Sequence, residues 1–380
     1  MKRAIVVSMM RYPDGDAGAV RAHAIAKILN DGGYDVTVLG YGPYTGRKTR
    51  VHDGIKYTSM RKRGEGFFSK VISRLTHPMR TMKYIKKEFS RVDLIVVDYL
   101  RLGAITRLTK YAERTGVRIC HDSCEWFSAE EFENGEKNRL YRYAERLNTS
   151  LIDKPWEVIS ISSYLDAHFK GRGLNSVRLP VVMDVSSMEY ALPENRERLV
   201  FVYAGSPGKK DFLSEMIAGF AKVKDELDGR FEFHIIGATE RAAIEVGGAR
   251  AEDVSRLGDQ LIFHGRVPRS EAVSFVRSAD FTVLLRNSDL RYTKAGFPTK
   301  VVESLASATP VITNITSDLG MYLVNGENSV ISKGYTADEF ADAVRYATSL
   351  DYDARVNISR GARECAEKNF DYRGYIGILD

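Results

Sequence analysis

The chain has 380 residues, 44% of them hydrophobic, and a formal net charge of +6. That length is too great for one ordinary core and calls for two domains of a globular protein. No run of eighteen apolar residues occurs, the opening MKRAIVVSMM turns at once into RYPDGDAG, and three cysteines are too few for a disulfide framework, so a spanning helix, a signal peptide and a secreted cystine scaffold are all disfavoured and a cytosolic protein is expected.

From the N-terminus, AIVVSMM (4–10) reads as a buried strand. Val20, Ala24 and Ile28, with Ile25 and Leu29, then form a helical stripe that ends at Gly32 and Gly33. YDVTVLG is the second strand. Residues 61–91 carry ten Lys/Arg against two Glu, a local basic patch that suits an anionic membrane surface or the solvated side of one or two helices. Nucleic acid is not the expected partner, because no zinc-finger, helix-turn-helix or RNA-binding pattern accompanies the charge. VDLIVVDY (92–99), VRICHDS (117–123) and EVISISS (157–163) repeat the strand theme with helix-like stretches between them. Apolar strands separated by helices indicate a parallel doubly wound α/β sheet.

The rhythm pauses at 178–198, where prolines and a polar run suggest the linker. A second series follows: LVFVYAG, FEFHIIG, LIFHG, DFTVLLR, PVITN and NSVIS as strands, with helices at about 211–227, 269–278, 299–308 and 336–349. Thr336 and Glu339 have the spacing of a capping box. The expected division is an N-terminal domain over 1–180 and a C-terminal domain over 184–361, with a last helix at about 362–380 packing back on the first.

In open α/β sheets ligands sit beyond the carboxyl ends of the strands. Neither GxGxxG after the first strand nor GxxxxGK[ST] is present, which disfavours dinucleotide dehydrogenases and P-loop kinases. Three cationic features nevertheless fall at strand ends in the second half. YAGSPGKKDF places Gly205, Lys209 and Lys210 in a turn before a helix, LLRNS brings Arg286 to a strand end, and GFPTKVVE sets Pro298 and Thr299 at a helix start whose free amides favour an anion. Glu303 lies one turn further on, taking Thr299 as N-cap, in an otherwise apolar stretch. A carboxylate removed from water needs donors, and the vicinal hydroxyls of a ribose would supply them; an exposed helix edge or a pairing with Lys300 would also account for it.

These segments, together with FHGRVPRSEAVSFVRSADFTVLLR, AGFPTKVVESLASATPVIT and ISSYL, resemble the retaining GT-B glycosyltransferases of family 4 over nearly the whole chain. The resemblance implies two facing Rossmann-like domains, a nucleotide-sugar donor held by the C-terminal domain and a saccharide or lipid-linked acceptor held by the N-terminal one. It implies that Glu303 is the second carboxylate of an E-x7-E motif and holds the donor ribose, that Lys210 and Lys209 meet the diphosphate, and that Phe297, Pro298 and Thr299 offer it their amides. Arg286 is expected to stabilise the leaving group. Ala295 replaces the motif's first Glu, and Ser206-Pro207-Gly208 stand where the phosphate loop usually has an Arg.

In the N-terminal half the resemblance places Gly18 where the first loop meets the donor phosphate, and makes His121 a cleft residue that contacts the sugar. Asp122, Glu125 and Trp126, in CHDSCEWF, are expected at the acceptor, where an aromatic face beside carboxylates suits carbohydrate. No cofactor and no metal are expected: Cys120, His121 and Cys124 lack a second ligand pair, and Asp14-Gly15-Asp16 and Asp351-Tyr352-Asp353 lack the surroundings of a metal-binding D-x-D. A peripheral position at the inner membrane face, through 61–91, is part of the same expectation. The competing readings are a GT-B-shaped nucleotide-sugar epimerase, which would isomerise donor without acceptor, and a non-catalytic protein binding polyanions.

Overall fold

A computed structural model describes residues 1–13, 15, 17–42, 48–60, 72, 76, 79–86, 92–98, 102–206, 208 and 210–380. The chain divides into two compact units, residues 1–184 with 371–380, and residues 185–370. The basic stretch 61–91 lies mainly outside the described residues, as do Lys209, Asp14 and Asp16.

Among the described residues the first unit holds eight strands: β1 (Lys2–Val7), β2 (Tyr34–Gly40), β3 (Arg50–His52), β4 (Ile55–Ser59), β5 (Leu94–Val97), β6 (Arg118–Ser123), β7 (Glu157–Ser160) and β8 (Ser176–Arg178). Their order is β3-β4-β2-β1-β5-β6-β7-β8, parallel apart from the β3–β4 hairpin. The helix Ala17–Asp31 buries Ala22, Ile25 and Ala26 against this sheet, and the two small alanines let it approach closely. The C-terminal tail closes the same core: Tyr372 and Leu379 join it, and the Tyr372 hydroxyl donates to Asp31 at 2.8 Å.

The second unit holds β9 (Leu199–Ala204), β10 (Phe231–Ile236), β11 (Leu261–Gly265), β12 (Phe281–Leu284), β13 (Val311–Asn314) and β14 (Ser329–Ser332), all parallel, in the order β11-β10-β9-β12-β13-β14. Phe201, Phe220, Phe231, Phe233, Phe281 and Phe340 fill its core, with the Phe220 and Phe233 ring centroids 4.5 Å apart. Each contributes about 2–3 kcal/mol by burial. Gly219 lets the helices Leu213–Leu227 and Ala337–Ser349 meet, since a Cβ there would come within 2.6 Å of the Phe340 ring. The Thr336–Glu339 capping box forms as the spacing predicts.

One expectation about the domains is corrected. The last helix runs Tyr352–Phe370 and belongs to the second unit, so only 371–380 return to the first. The reason is visible in its buried face: Arg363 donates to the Val185, Met188 and Ala306 carbonyls, all in the second unit. The hairpin β3–β4 and the strand β8 were not expected, because all three are short and their alternation is weak. Among the described residues no helix is long and apolar enough to cross a membrane.

Candidate active site

In the second sheet the strand order reverses between β9 and β12, and the residues just beyond these two strands occupy the crevice where doubly wound sheets bind ligands. Gly205 follows β9 and Arg286 comes two residues after β12. The segment ending at Asp211 runs beside the β12 exit, with the Phe212 amide donating to the Leu285 carbonyl at 2.9 Å. The Tyr292 hydroxyl donates to the Lys210 carbonyl at 3.0 Å, and the Lys210 ammonium lies 5.6 Å from the Tyr292 ring centre. Lys210 and Arg286 are thus brought to one place.

What joins them is a residue that sequence reasoning passed over. Asp211, only 8% exposed in its side chain, accepts from Arg286 Nε at 2.8 Å, from the Tyr203 hydroxyl at 3.0 Å and from Lys300 Nζ. Burial pushes the Asp211 carboxyl up, but Lys300 and Arg286 together outweigh it and hold the group well below the usual carboxylate range. Burial also raises the Tyr203 phenol and lowers the Lys300 ammonium. Gly205 leaves room for the Lys300 amine: a Cβ there would overlap it and displace the lysine. In the sequence Lys300 reads only as a partner for Glu303, and Asp211 gives no signal beyond following two lysines.

The helix carrying Lys300 spans Thr299–Ala306. Its N-cap is Pro298, not Thr299, and no side chain caps it. The Phe297 ring is buried against Tyr322 and Phe370, so Phe297 itself has only its backbone to offer a ligand. Glu303 is 26% exposed and pairs with Arg269 at 2.6 Å instead of Lys300; Arg269 is itself 55% exposed. Lys300 and Glu303 line one small pocket, walled by Val202, Ala204, Leu284 and Val301 among others. A cation and a carboxylate therefore share the pocket above the reversal point. Nothing in the sequence pointed to Arg269, because it comes from a different helix.

The residues expected in the first unit are placed less favourably. His121 lies on β6 and is 4% exposed, and burial lowers it to about 4, so it is neutral near pH 7 and is not offered to a ligand here. Asp122, expected at the acceptor, is the buried partner of Arg21, which grips it through Nε and Nη2 at 2.7–2.9 Å and also donates to the Leu179 and Pro180 carbonyls. Buried, and with both oxygens already accepting from Arg21, the Asp122 carboxylate is not presented to the hydroxyls of a sugar. Trp126, also expected there, is 7% exposed; its indole donates to Glu145 at 2.9 Å and its ring packs on His168 at 4.3 Å. Glu125 is exposed. Gly18 stands in the first turn of the helix Ala17–Asp31 and not in a loop. Among the described residues no group of three or more His, Cys, Asp or Glu is arranged to hold a metal ion.

Comparison with known proteins bears on both units. Residues 187–365 match the family model described as glycosyl transferases group 1, and residues 17–183 match that of a glycosyl transferase 4-like domain. A search of the curated proteins gave no match. Among solved structures, sucrose-phosphate synthase from Thermosynechococcus elongatus is similar at TM-score 0.73 and 13% identity, over 100% of this chain and 97% of that one. HepE from Anabaena, in complex with UDP and glucose, gives 0.68 at 12% identity, over 99% and 98%. WaaG, a glycosyltransferase involved in lipopolysaccharide biosynthesis, gives 0.67 at 13% identity, over 99% of each chain. At such identities the structures establish the fold, while the two family models between them span both units: the chain belongs to the glycosyltransferases of GT-B fold.

Proposed function

We propose that this glycosyltransferase moves a sugar from a nucleoside-diphosphate sugar, uridine being the favoured base, to a hydroxyl of a saccharide or lipid-linked saccharide, with retention and without a metal. One observation carries the reading: Lys300, Arg286 and Glu303 meet at the strand-order reversal of the second sheet, with Lys210 alongside. HepE, similar in fold, was solved with UDP and glucose and with UDP-glucose, which supports the choice of donor.

In this reading the Glu303 carboxylate accepts from the ribose hydroxyls, exchanging Arg269 for them. Cleavage of the anomeric C–O bond leaves its electron pair on the β-phosphate. Lys300, Arg286, Lys210 and the amides at Thr299 stabilise that charge, as preorganised donors do in a water-poor site. The acceptor hydroxyl attacks from the face the phosphate leaves, and its proton passes to a departing phosphate oxygen. No protein nucleophile is assigned. Of the first-unit residues, Glu125 remains the proposed acceptor contact, and Lys209 and the 61–91 patch keep their proposed roles at the diphosphate and at a membrane surface.

A thermal-shift screen against uridine, guanosine and adenosine diphosphates and their sugars tests the assignment. A ligand of the native state at 100 times its Kd stabilises by about 2.7 kcal/mol, so the true donor raises the melting temperature by several degrees. Absence of any shift with all of them would overturn the donor site. Release of nucleoside diphosphate that depends on added saccharide acceptor, with no isomerised donor, separates transfer from epimerisation.

A further inference from the structure

The ion cluster at the β9–β12 exit is built around a buried carboxylate whose two oxygens are both engaged. Asp211 Oδ1 accepts from Arg286, and Oδ2 accepts from both Tyr203 and Lys300. Buried and with both oxygens already accepting, it is not presented to a sugar, and its charge would repel a phosphate. Yet it draws together two cations that arrive from unrelated elements, Arg286 from the loop after β12 and Lys300 from the first turn of the Thr299–Ala306 helix. Two cations against one anion leave an excess of one positive charge. Among the described residues, the Nη1 and Nη2 groups of Arg286 have no acceptor, so the guanidinium has its outer donors available. The Lys300 ammonium is further fixed 4.4 Å from the centre of the Tyr203 ring.

We propose that Asp211 is a positioning residue that touches no substrate and fixes the Lys300 ammonium beside the Arg286 guanidinium, so that both face the leaving diphosphate without rearrangement. The inference rests on the transferase reading above and adds to it the element that organises its cations. Its electrostatic consequence is specific. Lys300 is surrounded by Asp211 and Tyr203 from the β9 side, Arg286 from the loop after β12 and Glu303 from its own helix. Burial and Arg286 favour its neutral form; Asp211 and Glu303 favour the charged one, and Asp211 is the nearer. Removing the Asp211 charge must therefore bring Lys300 to its neutral form at lower pH.

The test is calorimetric titration of uridine, guanosine and adenosine diphosphates from about pH 6 to about pH 10, following whichever binds best, in the wild-type chain and in Asp211→Asn, Lys300→Arg and the double variant. Wild-type affinity is expected to fall at the alkaline end. Asp211→Asn brings that fall down by about one pH unit or more, the size of a close charge's effect. Lys300→Arg removes the fall, since guanidinium keeps its proton, and the double variant shows no alkaline fall either. A purely structural aspartate would lower the melting temperature and leave the limb in place; a limb unmoved in Asp211→Asn overturns the proposal. Should that variant fail to fold, Lys300→Arg decides, because a wild-type limb retained there shows that Lys300 does not titrate at the site. Wild-type chain that binds none of the three diphosphates overturns the transferase reading and this proposal together, whereas binding with an unmoved limb overturns this proposal alone.

Discussion

Replacing Glu303 by Ala separates a ligand-binding carboxylate from a structural one, because the two roles differ in size. Among the described residues Glu303 has one ionic partner, Arg269, and the pair is 26% and 55% exposed. Solvent screens such a pair, so its loss costs no more than about 1 kcal/mol of stability. For a unit of this size that is a fall of about 2–4 °C in melting temperature. If the carboxylate accepts from the ribose of the donor, the variant loses hydrogen bonds to a charged group, each worth about 1.5–3 kcal/mol. Affinity for the nucleoside diphosphate then falls by about tenfold to a few hundredfold, and kcat/KM falls with it. Calorimetry with the best-binding diphosphate and a thermal melt of the same sample read both quantities. A variant that binds as tightly as wild type refutes the ribose assignment. A melting temperature lowered by far more than the screened pair allows would show that Glu303 supports the fold instead.

Gly205→Ala sets a methyl group against the Lys300 amine and forces that side chain off Asp211. The expected result is a loss of about 1–3 kcal/mol in stability and at least about tenfold weaker diphosphate binding, measured by denaturant titration and calorimetry. Asp122→Ala leaves the Arg21 guanidinium buried and unpaired, so it should destabilise the first unit by about 3–5 kcal/mol in chemical denaturation, with acceptor KM unchanged in whatever folded enzyme remains. His121 titrates near 4 when folded and near 6.5 when unfolded, so the unfolded chain binds more protons between those values. Stability from this group is complete above about pH 6.5 and declines as pH falls toward about 4, by about 3 kcal/mol in all. A His121→Asn variant that shows the same acid slope as wild type would refute that burial.

Asp122 and Glu303 show where sequence reasoning held and where it stopped. Both are acids beside apolar runs, and from sequence each reads as a candidate ligand. Asp122 is taken by Arg21, 101 positions away, while Glu303 keeps a screened partner and a place on a pocket. Trp126 is decided in the same way, by Glu145 and His168. Whether a polar side chain is available to a ligand depends on what packs against it, and that partner can come from any part of the chain.

The sequence by itself determined the alternation of strands and helices, because burial of a strand on both faces and of one helical stripe leaves a local hydrophobic period. YDVTVLG, LIFHG and the helix 269–278 are found where that period puts them. It also placed Arg286 at a strand end, since the two are adjacent along the chain. Only the tertiary structure decided the strand order that brings β9 beside β12, and with it the meeting of Asp211, Arg286 and Lys300, which lie up to 89 residues apart. The physical reason is range: periodicity and capping act over a few residues, whereas a buried charge is satisfied by whichever opposite charge the fold delivers.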